Sequence, residues 1–404
     1  MGNAKKRSGS VASMLPVLLA CSFTASFGQS MMNVALPELA ERFGVTLSIA
    51  NWVIVGYMVV AATAIMLSAF MLRRLGLRRV FFVGAGALAL GSACALLSQD
   101  FPMLFASRLV QAVGTGLFFP SVTSVIMTNS PAAVRGTRLA LNSGVIAVGL
   151  AISPTASGFA LTQFGWRAMF VVSLAMSVAL LAVGFFRIHG GPSTKRVPID
   201  ALSVMLGPLG LAAFLYGLGE VTRDLAPSLA ALAVGAVLLA LFAWRQFALE
   251  SPLLDLHPLV HPRFAVGILL VMVGMLTSFS MSILLPLYYE GALGYTAFFA
   301  GLLLLGPVLV NAAFTFLGGR VFDRHGLVLV LVGQAAAFFS AESMIAILIV
   351  LSSAAVYAGA GFVVAPSKTA ALGTLPPATY SAGASINSTA VQIASAIGSS
   401  LFVG

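Results

Sequence analysis

Long apolar runs separated by short polar connectors dominate this chain, and their length identifies them. A helix that crosses a bilayer needs about 20 apolar residues at 1.5 Å rise each, and every backbone polar group must be satisfied inside that helix. By that ruler the sequence holds thirteen segments: Met14–Leu36, Ile49–Leu72, Val80–Leu97, Met103–Met127, Leu139–Leu161, Ala168–Phe186, Ala201–Gly219, Pro227–Trp244, Phe264–Tyr289, Phe298–Gly319, Leu327–Ala341, Met344–Pro366 and Ala384–Gly404. A membrane β-barrel would instead show alternating segments of about ten residues, and no stretch here does so. The pattern predicts an all-α integral membrane protein.

Composition agrees, since 60% of the 404 residues are hydrophobic and only 8% are charged. The charges then orient the spans. With the Lys5-Lys6-Arg7 end in the cytoplasm, inner connectors hold every Lys and Arg except Arg42, Arg167 and Arg223, which fall outside, and Arg108, which falls within a span. Asp200, Glu250, Asp255 and Asp323 fall inside, and Glu38, Glu41, Asp100, Glu220, Asp224, Glu290 and Glu342 fall outside. The net charge of +10 is therefore a topology signal, and no basic run of nucleic-acid type accompanies it. The apolar run after Arg7 is too long for a signal peptide and leads straight into a second span, so it reads as an uncleaved first helix in the plasma membrane. Cys21 and Cys94 sit inside spans, as small packing residues do, and His189, His257, His261 and His325 are not clustered. Neither a metal nor a cofactor is expected.

An internal repeat divides the chain. At a separation of about 245 to 250 residues, Asn33-Val-Ala-Leu-Pro37 matches Ile283-Leu-Leu-Pro286, Arg74-x-Gly76 matches Arg324-x-Gly326, and Gly114-x-Gly116 matches Gly359-x-Gly361. Pro131 likewise matches Pro376, and Asn142-Ser143 matches Asn387-Ser388, in the same order. The expected organisation is a six-helix bundle over residues 1–190, a two-helix insert over 191–262, and a second bundle over 263–404 with five spans. The partner of the sixth span is missing from that second bundle, which reads as a C-terminally incomplete chain lacking a fourteenth helix.

Arg108 is the one formally charged side chain inside the long apolar runs, within the string Arg108-x-x-Gln111-x-x-Gly114-x-Gly116-x-x-x-Pro120. An arginine in mid-membrane costs about 3 kcal/mol even on lenient scales. Three roles are open to it: a structural donor to nearby backbone carbonyls, an element that tunes a carboxylate for proton coupling, and a cation facing the ligand in an acid-free cavity.

These landmarks resemble the fourteen-helix branch of the drug/proton antiporters in the major facilitator superfamily, over essentially Met14 to Gly404. The resemblance rests on Asn33-Val-Ala-Leu-Pro37, Trp52 with Tyr57, Arg74-x-Gly76-x-Arg78-Arg79, the Arg108 string, Pro154 with Gly158, Gly165-Trp-Arg167 and Gly319-x-Val-x-Asp323-Arg324-x-Gly326. It implies the major facilitator fold and a substrate path between the halves near the midplane. It also implies an inner gate of Arg74, Gly76, Asp323, Arg324 and Gly326.

The chain departs from the family pattern at several places. Arg73 stands where the first loop expects an acid. The fifth-span signature reads Gly149-x-x-x-Ser153-Pro154-x-x-Ser157-Gly158, with serines in place of two glycines. The first-span acid would fall five residues before Asn33, where this chain has Gly28.

Polar positions mark the expected path. Ser22, Ser26, Gln29 and Asn33 form one stripe on the first span, and Ser388, Gln392, Ser395 and Ser399 form another on the thirteenth. Such stripes either join helices or line a cavity. Gln29, Asn33, Arg108, Gln111, Asn142, Asn387 and Gln392 are the candidate path residues, and Gly114, Gly116, Gly149, Pro154 and Gly158 the candidate close-packing positions. The sequence carries no nucleotide-binding loop and no catalytic cluster within the spans. The expectation is a secondary transporter, not an enzyme, that exports hydrophobic small molecules by alternating access with protons as partners. The alternatives are an uncoupled carrier of neutral or anionic solutes and a non-transporting membrane protein.

Overall fold

The computed structural model describes residues 2–188, 200–249, 252–318, 346–376 and 379–403. The described residues fold into thirteen α-helices and one 3-10 turn, with no strand among them. In chain order the helices are α1 (Gly2–Ser30), α2 (Leu36–Phe43), α3 (Leu47–Leu75), α4 (Leu77–Leu96), α5 (Phe101–Asn129), α6 (Ala132–Phe164) and α7 (Arg167–Arg187). They continue as α8 (Ala201–Gly219), α9 (Leu225–Ala248), α10 (Pro262–Gly291), α11 (Ala297–Gly318), α12 (Ala346–Gly373) and α13 (Tyr380–Val403). The ten helices α3 to α12 are each long and apolar enough to cross a membrane, and α1 adds an apolar stretch over Met14–Ser30. The fold is that of an all-α integral membrane protein. The expected eleventh span, Leu327–Ala341, lies outside the described residues, as do Asp323, Arg324 and Gly326.

The first expected span is corrected at its end, because α1 stops at Ser30 and not at Leu36. The chain turns through residues 31–35 with Asn33 N donating to Ser30 O and Ala35 N to Met32 O, and restarts as α2 with Pro37 in its first turn. Proline has no N–H and needs none in the first turn of a helix, so Pro37 sits in the opening turn of α2. Gly44 closes α2 at φ +63°, a left-handed conformation that glycine adopts without penalty. The ninth span also shifts: α10 runs to Gly291, which puts Glu290 in its last turn.

Long helices joined by described connections run in opposite directions, whereas α11 and α12 run parallel, with Asn311 beside Tyr357 and Thr315 beside Gly361, so the bundle has an α2 end and an arginine-rich end with Arg74, Arg78, Arg79, Arg138, Arg187, Arg245 and Arg263. The packing partners repeat. In the first half α1 packs on α5 and α6, and α3 on α5; in the second, α10 packs on α12 and α13, and α11 on α12. Across the middle, α3 meets α13 and α6 meets α11.

Two glycines show the repeat at atomic scale. A methyl group at Gly116 would run into the backbone carbonyl of Ala61 on α3, and one at Gly361 would lie 2.6 Å from the carbonyl of Asn311 on α11. Both sites therefore need a residue without a side chain for the helices to touch, which is how small residues drive association in a membrane.

The helices α8 and α9 pack on each other, and α8 also touches α3 and α13. Asp200, just ahead of α8, is clamped by Arg245 of α9 through Nε at 2.7 Å and Nη2 at 2.8 Å. These charge-assisted bonds, with one from Ser203, hold the Asp200 carboxyl well below the usual carboxylate range. Gln246 adds a second tie, donating to Ser203 Oγ at 2.7 Å and accepting from Leu253 N and Leu254 N.

Candidate functional site: a buried arginine and a polar seam

Arg108 is completely buried. It lies seven residues into α5, about 10 Å from that helix's start at 1.5 Å per residue, so it sits nearer the α2 end than mid-membrane. Its Nη1 donates to Gly28 O at 3.1 Å and to Gln111 Oε1 at 2.7 Å, its Nε reaches Val53 O at 3.4 Å, and its guanidinium lies 4.1 Å over the Tyr57 ring. Nη2 has no partner. Among the described residues no carboxylate pairs with Arg108.

Gly28 belongs to the last turn of α1, whose carbonyls have no intrahelical donor and carry the negative end of the helix dipole. The cation thus caps a helix that has been stopped inside the bundle, and the Tyr57 ring face adds cation–π attraction. The network continues from Gln111 Nε2 to Ser92 Oγ at 2.7 Å and from Ser92 Oγ to Ser173 Oγ at 3.0 Å, while the Tyr57 hydroxyl bonds Thr115. Helices α1, α3, α4, α5 and α7 are tied through it. The family's expected acid position holds a backbone carbonyl aimed at the arginine instead.

The second half reproduces the motif with neutral groups. Tyr357 of α12 donates its hydroxyl to Ser278 O of α10 at 3.0 Å, and Asn311 Nδ2 of α11 donates to Tyr357 O at 2.8 Å. Ser278 stands 250 residues after Gly28, so a side chain of α12 bonds a carbonyl of α10 in the turn that corresponds to the one Arg108 bonds on α1, with Ser278 inside its helix and not at its end.

Six hydrogen bonds cross between α1–α7 and α8–α13 among the described residues. Gln29 Nε2 donates to Gln392 Oε1 at 3.0 Å, and Asn33 Nδ2 to Ser282 Oγ at 3.0 Å. Asn51 Nδ2 donates to Ser399 O at 3.1 Å while Ser399 Oγ donates back to Asn51 Oδ1 at 2.8 Å. Ser48 Oγ donates to Glu220, and Thr155 Oγ1 to Gly301 O at 2.8 Å. By helix position all six lie between the middle of the bundle and the α2 end. Toward the arginine-rich end α3 meets the second half through apolar groups, with Met66 in a cluster with Phe242, Phe264, Ile386 and Ala390.

Of the expected path residues, Gln29, Asn33 and Gln392 are on this seam. Arg108 and Gln111 are inside the first-half bundle, as is Asn142, whose Oδ1 accepts from Ser22 Oγ at 2.7 Å. Asn387 is buried on α13, and its Oδ1 has no partner because position 272, which corresponds to Ser22 by the repeat, is a methionine. Arg74 lies 5.8 Å from the Phe70 ring, and Gly76 joins α3 to α4 at φ +77°. Gly114 faces Gly84 O, Gly149 faces Ser26, and Gly158 faces the Ala297 backbone, while Gly301 faces Pro154 O. Asn51, Ser48, Ser282 and Thr155 escaped the sequence reading. Only Ser399 had a signal, as a member of the thirteenth-span stripe.

A bundle of this topology, with a polar seam between repeated halves, has the arrangement of a membrane transporter. The chain matches the family model described as Major Facilitator Superfamily over residues 18–399, and it belongs to that superfamily. It is 31% identical over 396 residues to the lincomycin resistance protein LmrB of Listeria monocytogenes, covering 95% of this chain and 84% of that one. The Bacillus subtilis protein of that name is 32% identical over 403 residues, covering 96% and 84%. The multidrug export protein EmrB of Escherichia coli is 28% identical over 295 residues, covering 72% and 57%. Among solved structures, the xylose transporter XylE from E. coli matches with a TM-score of 0.66 at 15% identity, covering 98% and 91%. A peptide transporter POT structure with sulfate matches with a TM-score of 0.68 at 17% identity, covering 95% and 87%. At these identities the two structures speak for the fold.

Proposed function

We propose that this transporter exports hydrophobic small molecules across the plasma membrane by alternating access, in exchange for protons. The arginine-rich end faces the cytoplasm and the α2 end, with Glu38, Glu41, Asp100, Glu220, Asp224 and Glu290, faces outside. The moving bodies are the bundle of residues 1–190 and that of 263–404, with 191–262 between them. Relatives named for lincomycin, methylenomycin and multidrug resistance or export support a drug-like cargo.

The crossing seam is the observation that carries this reading. Its six hydrogen bonds gather in the outer half of the bundle, so the structure corresponds to a state closed to the outside. Export requires that they break while the apolar contacts around Met66 tighten. Gln29, Asn33 and Gln392 face the cargo when the seam opens. Arg108, Gln111, Asn142 and Asn387 hold the two bundle cores against it. Arg74 and Gly76, with Asp323, Arg324 and Gly326, gate the inner side, and Gly114, Gly116, Gly149, Pro154 and Gly158 keep the helices in contact.

One observation favours a second reading. Arg108 is satisfied by carbonyls, an amide and a ring, with no carboxylate beside it among the described residues, so the buried charge has no acid partner there to exchange a proton. On that reading the protein moves neutral or anionic solutes without proton exchange. Proton flux in proteoliposomes on addition of substrate separates the two. Alkalinisation or acidification locked to transport supports exchange, and transport without a pH change overturns it.

A further inference from the structure

Asn51 uses both ends of its amide in the seam, whereas Asn33 and Gln392 each leave one end over. Asn33 Nδ2 donates to Ser282 Oγ of the other half, and Asn33 Oδ1 has no partner. Gln392 Oε1 accepts from Gln29 of the other half, and Gln392 Nε2 has none. The two side chains are only 1% and 2% exposed, so bulk water serves neither atom. Gln392 meets Gln29, which stands four residues before Asn33, so the two leftover atoms belong to neighbouring positions of the seam.

A buried amide atom without a partner is costly, because it has given up its hydrogen bond to water and made no other. At Asn387 the cause lies inside one bundle, where Met272 stands in the place of a hydroxyl. Asn33 and Gln392 differ, since each stands where the halves separate. Apolar side chains flank them on both sides, with Phe27, Met31 and Met32 from the first half and Phe279, Ile283 and Ile393 from the second. A few fixed polar groups in an apolar wall that includes adaptable methionines make up the composition of a small-molecule site.

The leftover atoms define what fits between them. Asn33 Oδ1, in the first half, needs a donor, and Gln392 Nε2, in the second, needs an acceptor. A secondary amide in its trans form carries both, with C=O and N–H pointing in opposite directions, so one can face each half. An ester has the carbonyl without the N–H, and a hydroxyl has a single oxygen for both tasks. We propose that the cargo carries an amide that bridges the halves, its N–H donating to Asn33 Oδ1 and its carbonyl accepting from Gln392 Nε2, an inference that rests on the seam being the cargo path.

The probes are three neutral dyes: a methoxycoumarin joined to a butyl group through a secondary amide, the same dye joined through an ester, and a methoxycoumarin alcohol of matched length. Binding to the purified chain in detergent is read by fluorescence anisotropy. The amide binds about fivefold tighter than the ester, the difference expected for one net hydrogen bond, and the alcohol falls below the amide by a similar factor. Asn33→Leu removes the acceptor, so amide and ester bind that variant equally. Gln392→Leu removes the donor that both carbonyls use, so both weaken about fivefold and their ratio is kept. A purely structural part for Asn33 would weaken both dyes together and leave their ratio as it was. That result overturns the proposal, as does equal binding of amide and ester, or of amide and alcohol, by the unmodified chain, and so does no binding of the amide. If Asn33→Leu does not fold, the dye series on the unmodified chain decides. Uptake of the same dyes by proteoliposomes separates this proposal from the export reading. Dyes carried without an amide preference in binding leave export standing and remove the amide site, and an amide preference without transport does the reverse.

Discussion

Replacing Asn51 with leucine keeps most of the side-chain volume and removes both hydrogen bonds of its reciprocal pair with Ser399. Asn51 is only 4% exposed and Ser399 is fully buried, so water does not replace the lost partners. Interhelical hydrogen bonds in a membrane bundle contribute about 0.6 kcal/mol each on average, so the pair contributes about 1.2 kcal/mol. That energy is present only while α3 and α13 meet at the α2 end. Its removal therefore raises the equilibrium constant for opening that end about sevenfold, at about 1.4 kcal/mol per tenfold. Spin labels at Leu47 and Leu401, both exposed near that end, report the separation by double electron–electron resonance. Asn51→Leu moves population to the longer distance. Ser399→Ala does so more weakly, because it keeps the bond to the Ser399 carbonyl, and adds little when combined with Asn51→Leu. An unchanged distance distribution, or effects of the two substitutions that simply add, refutes the seam as the closing contact.

Three further outcomes follow from the packing and the charges. Gly116→Ala and Gly361→Ala each lower stability by about 2 kcal/mol, because the added methyl meets a neighbouring helix backbone, while Gly86→Ala, which faces open space, has no such cost; thermal unfolding midpoints in detergent check this. Arg108→Lys is more damaging than Arg108→Met by about 2 kcal/mol: lysine keeps the cost of a buried charge and cannot reach Gly28 O and Gln111 Oε1 with one fork, and equal midpoints for the two variants contradict the capping role. Asp200 has a depressed folded value, so its ion pair with Arg245 stabilises fully above the ordinary carboxylate value near 3.9 and is lost as pH falls through the lower folded value; the stability gap between the native chain and Asp200→Asn narrows in that acid window and is constant from about pH 5 to 8.

The spans were legible because membrane helices announce themselves by length and apolarity alone, and α3 to α12 fall where the apolar runs predicted them. The end of α1 was not, since Met31, Met32, Val34 and Ala35 are as apolar as any helix interior, and only Pro37 marks the restart. The repeat was readable from Gly116 and Gly361 because a position that tolerates no side chain leaves a mark in sequence. Asn51 left none: one amide at the start of an apolar run looks like a helix end facing water until its partner 348 residues away is placed beside it. Arg108 was conspicuous as a buried charge, but its partner is a backbone carbonyl, and a carbonyl has no letter in the sequence. Asn142 and Asn387 were matched by the repeat, yet their surroundings differ because Ser22 and Met272 differ.

The absence of a carboxylate beside Arg108 among the described residues leads to one expectation about cargo: neutral and anionic hydrophobic molecules are exported, and lipophilic cations are disfavoured. A panel of matched cationic, neutral and anionic dyes in proteoliposomes, run on the unmodified chain, Arg108→Ala and Gly28→Asp, measures it directly. A side chain at Gly28 meets only the Tyr57 hydroxyl at 3.8 Å, so the new carboxylate has room beside Arg108. The expected result is export of neutral and anionic dyes by the unmodified chain, with cations gained in Gly28→Asp. Strong cation export by the unmodified chain, with selectivity unchanged in Arg108→Ala, contradicts it.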